Sequence, residues 1–255
     1  MSVHQEFPLV SVITPAYNAA RFIGRTIDSV LAQTLTNWEM VIVNDNSPDN
    51  LCEIVETYMV DDSRIRLLQR PASGGPAKAR NAGIAAARGR YIAFLDSDDL
   101  WLPEKLSKQI EFMQTDNVAF SFTAYKHIDR HDQIVRDAMP VPERVDYETL
   151  LLTCVIGCLT AVYDTHRIGK HYMPDLYNKE DFGLWLKILK MGHVAYGLNE
   201  PLALYRVNPH SISRKKLVSC RYQWQVYREI ERLPILKSLY CFGSYAFHGA
   251  MNWWW

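Results

Sequence analysis

Three aspartates fall within four residues at Asp96-Ser97-Asp98-Asp99. They directly follow the apolar run 91–95, which predicts a buried strand, and ligands of open α/β sheets bind in the loops after the strands. Close carboxylates repel one another unless a cation or hydrogen-bond donors compensate them, and such oxygen ligands suit Mg²⁺ or Mn²⁺. An alternative is that Asp99 and its neighbours cap a helix that begins at Pro103. The cluster by itself is consistent with either a cation site or a helix cap.

Strand-like and helix-like segments alternate along the N-terminal part of the chain. Short β-branched or apolar runs predict buried strands at 9–14, 38–43, 64–69 and 91–95. Helical spacing of apolar residues or helix-forming composition predicts helices at 22–31, 50–60 and 77–88. This alternation builds a parallel sheet of an α/β fold through right-handed crossovers. We therefore expect residues 15–18, 44–46 and 96–99 to converge on one crevice, with Lys78 and Arg80 near its mouth.

Composition and missing motifs argue against several classes of function. No GxGxxG follows the first strand and no GxxxxGK[ST] occurs anywhere, which disfavours dinucleotide binding and P-loop nucleotide binding. Lys plus Arg and Asp plus Glu both number 28 among the 255 residues, so the zero net charge gives no sign of a nucleic-acid partner. Residues 1–7 show no basic region followed by an apolar core, so we expect no secretory signal and a cytoplasmic location.

Five motifs occur in order along the chain: Val10-Ser-Val-Ile-Thr-Pro-Ala-Tyr-Asn18, Val43-Asn-Asp-Asn-Ser-Pro-Asp49, Ala79-Arg-Asn-Ala-Gly83, Phe94-Leu-Asp-Ser-Asp-Asp99 and Glu180-Asp181. In this order they resemble the motifs of family 2 glycosyltransferases with the GT-A fold. The similarity spans nearly the whole chain. Within the family, the chain resembles bacterial enzymes of teichuronic-acid, capsule or O-antigen assembly. The segments 156–160 and 200–206 contribute to this resemblance. The resemblance implies a Rossmann-like, mostly parallel central sheet with helices on both faces, followed by C-terminal helices.

The resemblance also implies which residues bind the donor, a UDP-sugar. Those that would contact the nucleotide sugar are Pro15, Ala16, Tyr17, Asn18, Asp45, Arg80, Asp96 and Ser97. Asp45 would read the uracil, Arg80 would lie beside the base and the diphosphate, and Asp96 would approach the ribose or the sugar. Asp98 would ligate a divalent cation, Mn²⁺ or Mg²⁺, that bridges the two phosphates.

Some of these residues have structural alternatives. Pro15 can end a strand, Asp45 can cap a turn, and Arg80 can be a solvated charge on a helix. The chain also departs from the family pattern, because Asn44-Asp45 stands where two adjacent aspartates are usual. The second aspartate is retained, so uracil recognition is still expected.

The second half of the chain is less regular. The pattern predicts a helix around 106–113, a strand at 118–125 and a short helix at 146–152 capped by an acid. The segment 153–163 is apolar and β-branched, and the resemblance implies that it forms a wall of the sugar and acceptor region. A strongly helical run follows at 179–191.

Glu180 and Asp181 would lie in the first turn of this last helix. The helix dipole stabilises acids there and would lower the pKa of both carboxyl groups, so that they stay ionised. The resemblance places the catalytic base here, and we expect Asp181 to take that role while Glu180 orients its neighbours. The structural alternative is a pair that only stabilises the helix.

The implied reaction is an inverting transfer of a hexose or N-acetylhexosamine from a UDP-sugar to a hydroxyl of a lipid-linked saccharide acceptor. Asp181 would remove the proton of that hydroxyl, and the cation held by Asp98 would offset charge on the departing UDP. Two alternatives are a metal-dependent sugar nucleotidyltransferase, which would release pyrophosphate, and a non-catalytic saccharide-binding module.

The C-terminal part has its own composition. We expect a catalytic domain at 1–210, with a nucleotide-sugar half at 1–100 and an acceptor half at 101–210, and a helical extension at 211–255. Seven basic residues outnumber two acidic ones between 211 and 237, and aromatic residues follow. This suits an interfacial helix at the inner face of the cell membrane; the alternative is packing on the catalytic domain or across a homodimer. His210 is either a contact to diphosphate or metal, or an ordinary loop histidine.

Overall fold

The computed structural model of the chain describes residues 7–207 and 216–251. The strands in these ranges are β1 (Val10–Ala16), β2 (Trp38–Asn44), β3 (Ile65–Gln69), β4 (Tyr91–Phe94), β5 (Leu100–Trp101), β6 (Phe120–Ile128), β7 (Ile134–Arg136), β8 (Arg144–Val145), β9 (Val162–Asp164) and β10 (Ala195–Arg206). The helices are α1 (Ile23–Leu31), α2 (Leu51–Asp61), α3 (Pro76–Ala86), α4 (Lys105–Thr115), α5 (Tyr147–Leu152), α6 (Thr165–Ile168), α7 (Glu180–Lys190), α8 (Lys216–Gln225) and α9 (Ile235–Met251). A π-helical turn, Val226–Ile230, follows α8.

The strands form one sheet in the order β3-β2-β1-β4-β9-β6-β10-β5, with β7 beside β6 and β8 beside β10. Strands β3, β2, β1 and β4 are mutually parallel, as the alternation of strands and helices predicts. Beyond them β9 runs antiparallel to β4 and β6, whereas β10 is parallel to β6. The carboxyl ends of β2, β1 and β4 therefore lie side by side, and the predicted site segments follow these ends.

Helices cover both faces of the sheet, as predicted. Successive side chains of a strand point to opposite faces, and in β2 the residues Met40 and Ile42 join one hydrophobic core whereas Val41 and Val43 join the other. Helices α1, α2 and α4 contribute to the first core, and α3, α5 and α7 to the second. Burial on both faces explains why these strands are continuous apolar runs in the sequence.

Helix α3 approaches β1 closely because Gly83 faces the sheet. A Cβ atom on Gly83 would lie 2.4 Å from Cγ2 of Ile13, so a larger residue would push the helix away. Arg80 lies three residues earlier on the same helix. The glycine thereby holds Arg80 near the ends of the central strands.

Glu39 is a buried acid within the apolar strand β2. Its carboxylate accepts hydrogen bonds from Ser11 Oγ, the backbone N–H of Arg88 and the guanidinium of Arg66, each at 2.6 Å. Burial opposes ionisation, but these hydrogen bonds outweigh it and lower the pKa of Glu39 below its ordinary value. Glu39 thus ties the turn after α3 to the middle of the sheet.

We expect Glu39→Ala to lower the free energy of unfolding by about 2–3 kcal/mol at pH 7, because buried donors lose their acceptor. A lowered pKa in the folded state gives stability that is present above the unfolded-state pKa and is lost as pH falls through the folded-state pKa. The deficit of the variant should therefore shrink between pH 7 and acid pH. Urea unfolding at several pH values measures it, with the exposed Glu56→Ala as control. Equal midpoints for Glu39→Ala and wild type at pH 7 would contradict this account.

The C-terminal helices pack on the rest of the protein. The hydroxyl of Tyr227 donates to the carbonyl of Leu151 at 2.6 Å, and Cys241 of α9 is buried. Glu231 accepts from Tyr147 Oη at 2.6 Å and from Lys190 Nζ at 2.8 Å. One face of the C-terminal region therefore packs on the rest of the protein, as the structural alternative to a membrane helix predicts. The predicted boundary at 210/211 and His210 lie outside the described residues, as do residues 252–255, so the domain division stays a prediction.

Candidate active site

Strand β1 runs two residues farther than its predicted end, through Pro15 to Ala16. Pro15 lies opposite Val43 in the parallel register with β2. Tyr17 comes next, and its side chain is 55% exposed, so that a ring face is available to a planar ligand. Asn18 has φ 52°, a left-handed conformation that asparagine adopts more readily than most residues.

Hydrogen bonds join the segment after β1 to the segment after β2. The backbone N–H of Asp45 donates to the carbonyl of Ala16 at 2.9 Å, and the N–H of Asn18 donates to Ser47 Oγ at 2.7 Å. Ser47 in turn donates to Asp49 Oδ1 at 2.5 Å. The structure thus brings these two predicted segments together.

Asp45 organises the loop that leads into α3. Its buried carboxylate accepts hydrogen bonds from the guanidinium of Arg70, from Ser73 Oγ at 2.9 Å, and from the N–H groups of Gly74 and Gly75 at 3.0 and 2.8 Å. In this structure Asp45 therefore stabilises a loop through its hydrogen bonds, as the alternative to uracil recognition predicts. A uracil N–H would be a further donor to the same carboxylate.

Arg80 is buried and bridges two carboxylates. One guanidinium nitrogen lies 2.5 Å from Asp96 Oδ1, and the other lies 2.5 Å from Glu180 Oε1. Burial opposes its charge, but the charges of Asp96, Glu180 and Asp181 raise the pKa of Arg80 well above its ordinary value. The alternative of a solvated helix charge is wrong, because only 6% of this side chain is exposed. Arg80 connects the loop after β4 to the first turn of α7.

The backbone of the acidic cluster is held by α1. Thr26 Oγ1 donates to the carbonyl oxygens of Ser97 and Asp99 at 3.0 and 2.9 Å. Asp99 is buried, and its Oδ1 accepts the N–H of Arg206 at 2.7 Å. Helix α4 instead begins at Lys105, with Glu104 at the N-cap and no side-chain cap. The structural alternative, in which Asp99 caps a helix that begins at Pro103, is therefore wrong, since this carboxylate accepts a hydrogen bond from the backbone of β10.

Burial and mutual repulsion disfavour the charged forms of Asp98 and Asp99 in the acidic cluster. Burial raises the pKa of Asp98 to about 6, and the neighbouring charge of Asp96 adds to the shift, although Arg206 and Arg80 oppose it. Burial likewise raises the pKa of Asp99 well above its ordinary value. Carboxylates in this state gain from a nearby cation, and their oxygens suit a hard divalent ion. The residues present therefore fit such an ion.

Glu180 and Asp181 lie in the first turn of α7, as predicted. Glu180 is buried, and burial raises its pKa despite the opposing charge of Arg80. The predicted lowering by the helix dipole is therefore wrong for Glu180, because desolvation is the larger effect. Asp181 is half-buried, and its Oδ1 accepts the N–H of Phe182 at 2.7 Å.

Two arginines of the site carried no predicted role. Arg206, at the end of β10, is buried, and its Nε donates to the carbonyl of Asp98 at 2.6 Å. Arg70 directly follows β3 and pairs with Asp45. In both cases the sequence offered one indication of a site residue, a charged side chain directly at the end of a strand. Lys78, predicted near the mouth, is half exposed and pairs with Asp175 at 3.2 Å.

The sequence model of the family described as "Glycosyl transferase family 2" matches residues 11–164, more than half of the chain. This chain belongs to glycosyl transferase family 2. Among its relatives in the family, Bacillus subtilis (strain 168) TuaG, named for teichuronic acid biosynthesis, is 44% identical, with 94% of this chain and 95% of the relative covered. Escherichia coli WfgD, named as a UDP-Glc:alpha-D-GlcNAc-diphosphoundecaprenol beta-1,3-glucosyltransferase, is 38% identical, with coverage of 91% and 90%.

Solved structures of glycosyltransferases share the fold of this family member. S. aureus TarS 1–349 in complex with UDP-GlcNAc has a TM-score of 0.70 at 24% identity, covering 87% of this chain and 65% of that one. A longer crystallised TarS chain is matched over 40% of its length. The mannosyltransferase PcManGT from Pyrobaculum calidifontis, in complex with GDP-Man and Mn2+, has a TM-score of 0.69 at 18% identity, with coverage of 94% and 69%. The predicted GT-A fold is confirmed.

Proposed function

We propose that this glycosyltransferase transfers a sugar, with inversion, from a UDP-sugar to a hydroxyl of a lipid-linked saccharide in bacterial surface polysaccharide synthesis. The observation that carries the proposal is the Arg80 bridge, because it holds Asp96 of the donor loop against the helix turn that bears Asp181. Full-length relatives named for teichuronic acid biosynthesis and for transfer to a lipid diphosphate support the substrate class.

The donor would occupy the crevice beyond β2, β1 and β4. Tyr17 offers its exposed ring to the base, and Asp45 accepts the uracil N–H. Since that carboxylate already accepts four donors in this structure, we expect uracil to replace one of those from the loop before α3. The sugar would then lie between Asp96 and α7.

The transfer itself requires a base and a leaving group. Asp181 takes the proton of the acceptor hydroxyl as its oxygen attacks the anomeric carbon of the donor. The bond from that carbon to the diphosphate oxygen breaks, and its electron pair leaves with UDP. One displacement from the opposite side inverts the anomeric centre, as in single-step glycoside hydrolysis.

Asp98 would hold a Mn²⁺ or Mg²⁺ ion. In residues 7–207 and 216–251 no group of three or more His, Cys, Asp or Glu side chains is arranged to hold a metal ion. The remaining ligands would then be oxygens of the donor diphosphate and water, the usual arrangement for Mg²⁺ at phosphates. When bound, the ion offsets negative charge on the departing UDP.

A panel of UDP-sugars, including UDP-glucose and UDP-GlcNAc, tests the proposed class of reaction. We expect UDP release that depends on a lipid-diphosphate saccharide acceptor and a divalent cation. Release of pyrophosphate would instead support a nucleotidyltransferase. Binding of saccharide without turnover of any donor would support a binding module.

We also propose that α9 contacts the membrane that carries the acceptor. Within the described ranges no helix is long and apolar enough to cross a bilayer. Helix α9 nevertheless exposes apolar side chains on the face turned away from its buried Cys241, namely Leu236, Leu239, Tyr240 and Phe247, all more than half exposed. Apolar and aromatic residues on one face suit the membrane interface. The enzyme would then act from the cytoplasm at the inner face of the membrane.

Replacing these four α9 residues by serine should weaken binding to vesicles that contain anionic phospholipid by about tenfold or more, because apolar burial drives such binding. Co-sedimentation with vesicles measures the effect, and activity on a water-soluble acceptor should persist. The exposed Val60→Ser in α2 is the matched control. Unchanged sedimentation would contradict membrane contact, and a change from dimer to monomer would assign the face to a homodimer.

A further inference from the structure

A cavity of about 340 Å³ lies beside the first turn of α7. It is open to solvent on one side and is lined by β6, the segment before β8, the segment after α5, and α9. The lining residues that matter for its chemistry are Tyr125, His127, Cys154, Lys179, Tyr245 and His248. The C-terminal helix thus completes a cavity whose other walls belong to the acceptor half of the protein.

Lys179 links this cavity to the catalytic residues. It immediately precedes Glu180 and Asp181, and its Nζ lies 3.4 Å from Cys154 Sγ and 5.2 Å from the ring centroid of Tyr245. Its φ of 68° is left-handed, an uncommon and costly conformation for a lysine. The charge of Asp181 also acts on Cys154, so the cavity and the base are electrostatically close.

The cavity is suited to an anion. The described residues that line it include Lys179, His127 and His248 but no aspartate or glutamate. Nδ1 of His127 is buried and has no hydrogen-bond partner among the described residues. The positive charge of Arg136 acts on His127 and Tyr125, although the negative charge of Asp99 also reaches Tyr125. A lysine ammonium is a common phosphate ligand, and a neutral imidazole can donate one N–H to a phosphate oxygen.

We propose that this cavity binds the phosphate end of the acceptor, with Lys179 Nζ contacting the phosphate attached to the accepting sugar. The inference rests on the proposed function, in which Asp181 deprotonates a hydroxyl of that sugar. Lys179 directly precedes α7 and Asp181 lies in its first turn, so their backbones lie within one helical pitch, about 5.4 Å, and the two side chains can approach the two ends of one sugar ring. The aromatic ring of Tyr245 would cover the adjoining apolar part of the acceptor.

The test compares Lys179→Met and Lys179→Arg with wild type, using Lys187→Met on the exposed side of α7 as matched control. The acceptors are N-acetylglucosamine joined to a short alkyl chain through a diphosphate, and the uncharged alkyl glycoside of the same sugar. We expect Lys179→Met to raise KM for the diphosphate acceptor about ten- to a hundredfold, since a charge-assisted hydrogen bond is lost. KM for the UDP-sugar, KM for the glycoside and Tm should not change, and Lys179→Arg should recover most of the affinity.

An unchanged KM for the diphosphate acceptor, or an equal loss with the uncharged glycoside, would overturn the inference. A raised KM for the UDP-sugar would assign Lys179 to the donor and overturn it as well. Calorimetric binding of the diphosphate acceptor separates this inference from the proposed function, because it needs no turnover. Weaker binding to Lys179→Met supports the cavity even if no sugar is transferred, whereas equal binding to both proteins contradicts it.

Discussion

Replacing Asp181 by Asn should slow sugar transfer by about 10²–10⁴-fold while leaving UDP-sugar affinity unchanged. Asparagine has the same size, and its carbonyl oxygen can still accept the N–H of Phe182, which Asp181 Oδ1 accepts at 2.7 Å. It cannot take a proton from the acceptor hydroxyl. The substitution therefore removes the base while it preserves the first turn of α7.

Initial rates of UDP release measure transfer, and calorimetric binding of the UDP-sugar without acceptor measures donor affinity. Asp116→Asn is the matched control, because Asp116 is exposed at the end of α4. Transfer by Asp181→Asn at the wild-type rate would show that Asp181 is not the base. Loss of UDP binding in the same variant would place Asp181 in the donor site.

Asp98→Ala should lower kcat/KM by about a thousandfold and abolish the effect of Mn²⁺ on UDP-sugar affinity. The expected loss is large because Asp98 would supply the protein's oxygen ligand, in a crevice where burial disfavours a carboxylate charge that no cation offsets. Its backbone carbonyl, which accepts from Arg206 at 2.6 Å, is retained in the variant, so the loop should keep its course.

Initial rates at varied donor concentration measure kcat/KM, and titration of UDP-sugar binding with and without Mn²⁺ measures the metal effect. The exposed Asp61→Ala at the end of α2 serves as control. Full activity of the wild-type protein in the presence of a chelator would contradict the requirement for a divalent cation. If UDP-sugar binding by Asp98→Ala still responds to Mn²⁺, other residues hold the ion.

Local patterns predicted the central elements well. The strand predicted at 38–43 is observed at Trp38–Asn44, and the helix predicted at 22–31 is observed at Ile23–Leu31. The predicted acid cap of α5 is confirmed, because Asp146 Oδ1 accepts the N–H of Thr149 at 2.9 Å. Each of these features depends on neighbours in sequence, through alternation, helical spacing or a cap.

Contacts between distant residues were not predictable in the same way. The alanine-rich pattern of α3 gives no sign that Arg80 is buried, because its partner Glu180 lies a hundred residues away. The helix-dipole argument for Glu180 failed for the same reason, since burial by other elements decides its pKa. Asp99 satisfied a local cap pattern but pairs with Arg206 of β10. The cavity beside Lys179 depends on α9, whose docking no local pattern specifies.

The anomeric configuration of the product tests inverting transfer from a UDP-sugar most directly. The enzyme is incubated with an α-linked UDP-sugar, the saccharide–diphosphate acceptor and Mn²⁺, and the new glycosidic linkage is assigned by NMR while UDP is quantified. We predict a β-linked product formed in equal amount to UDP. An α-linked product, or pyrophosphate in place of UDP, would contradict the single displacement at Asp181.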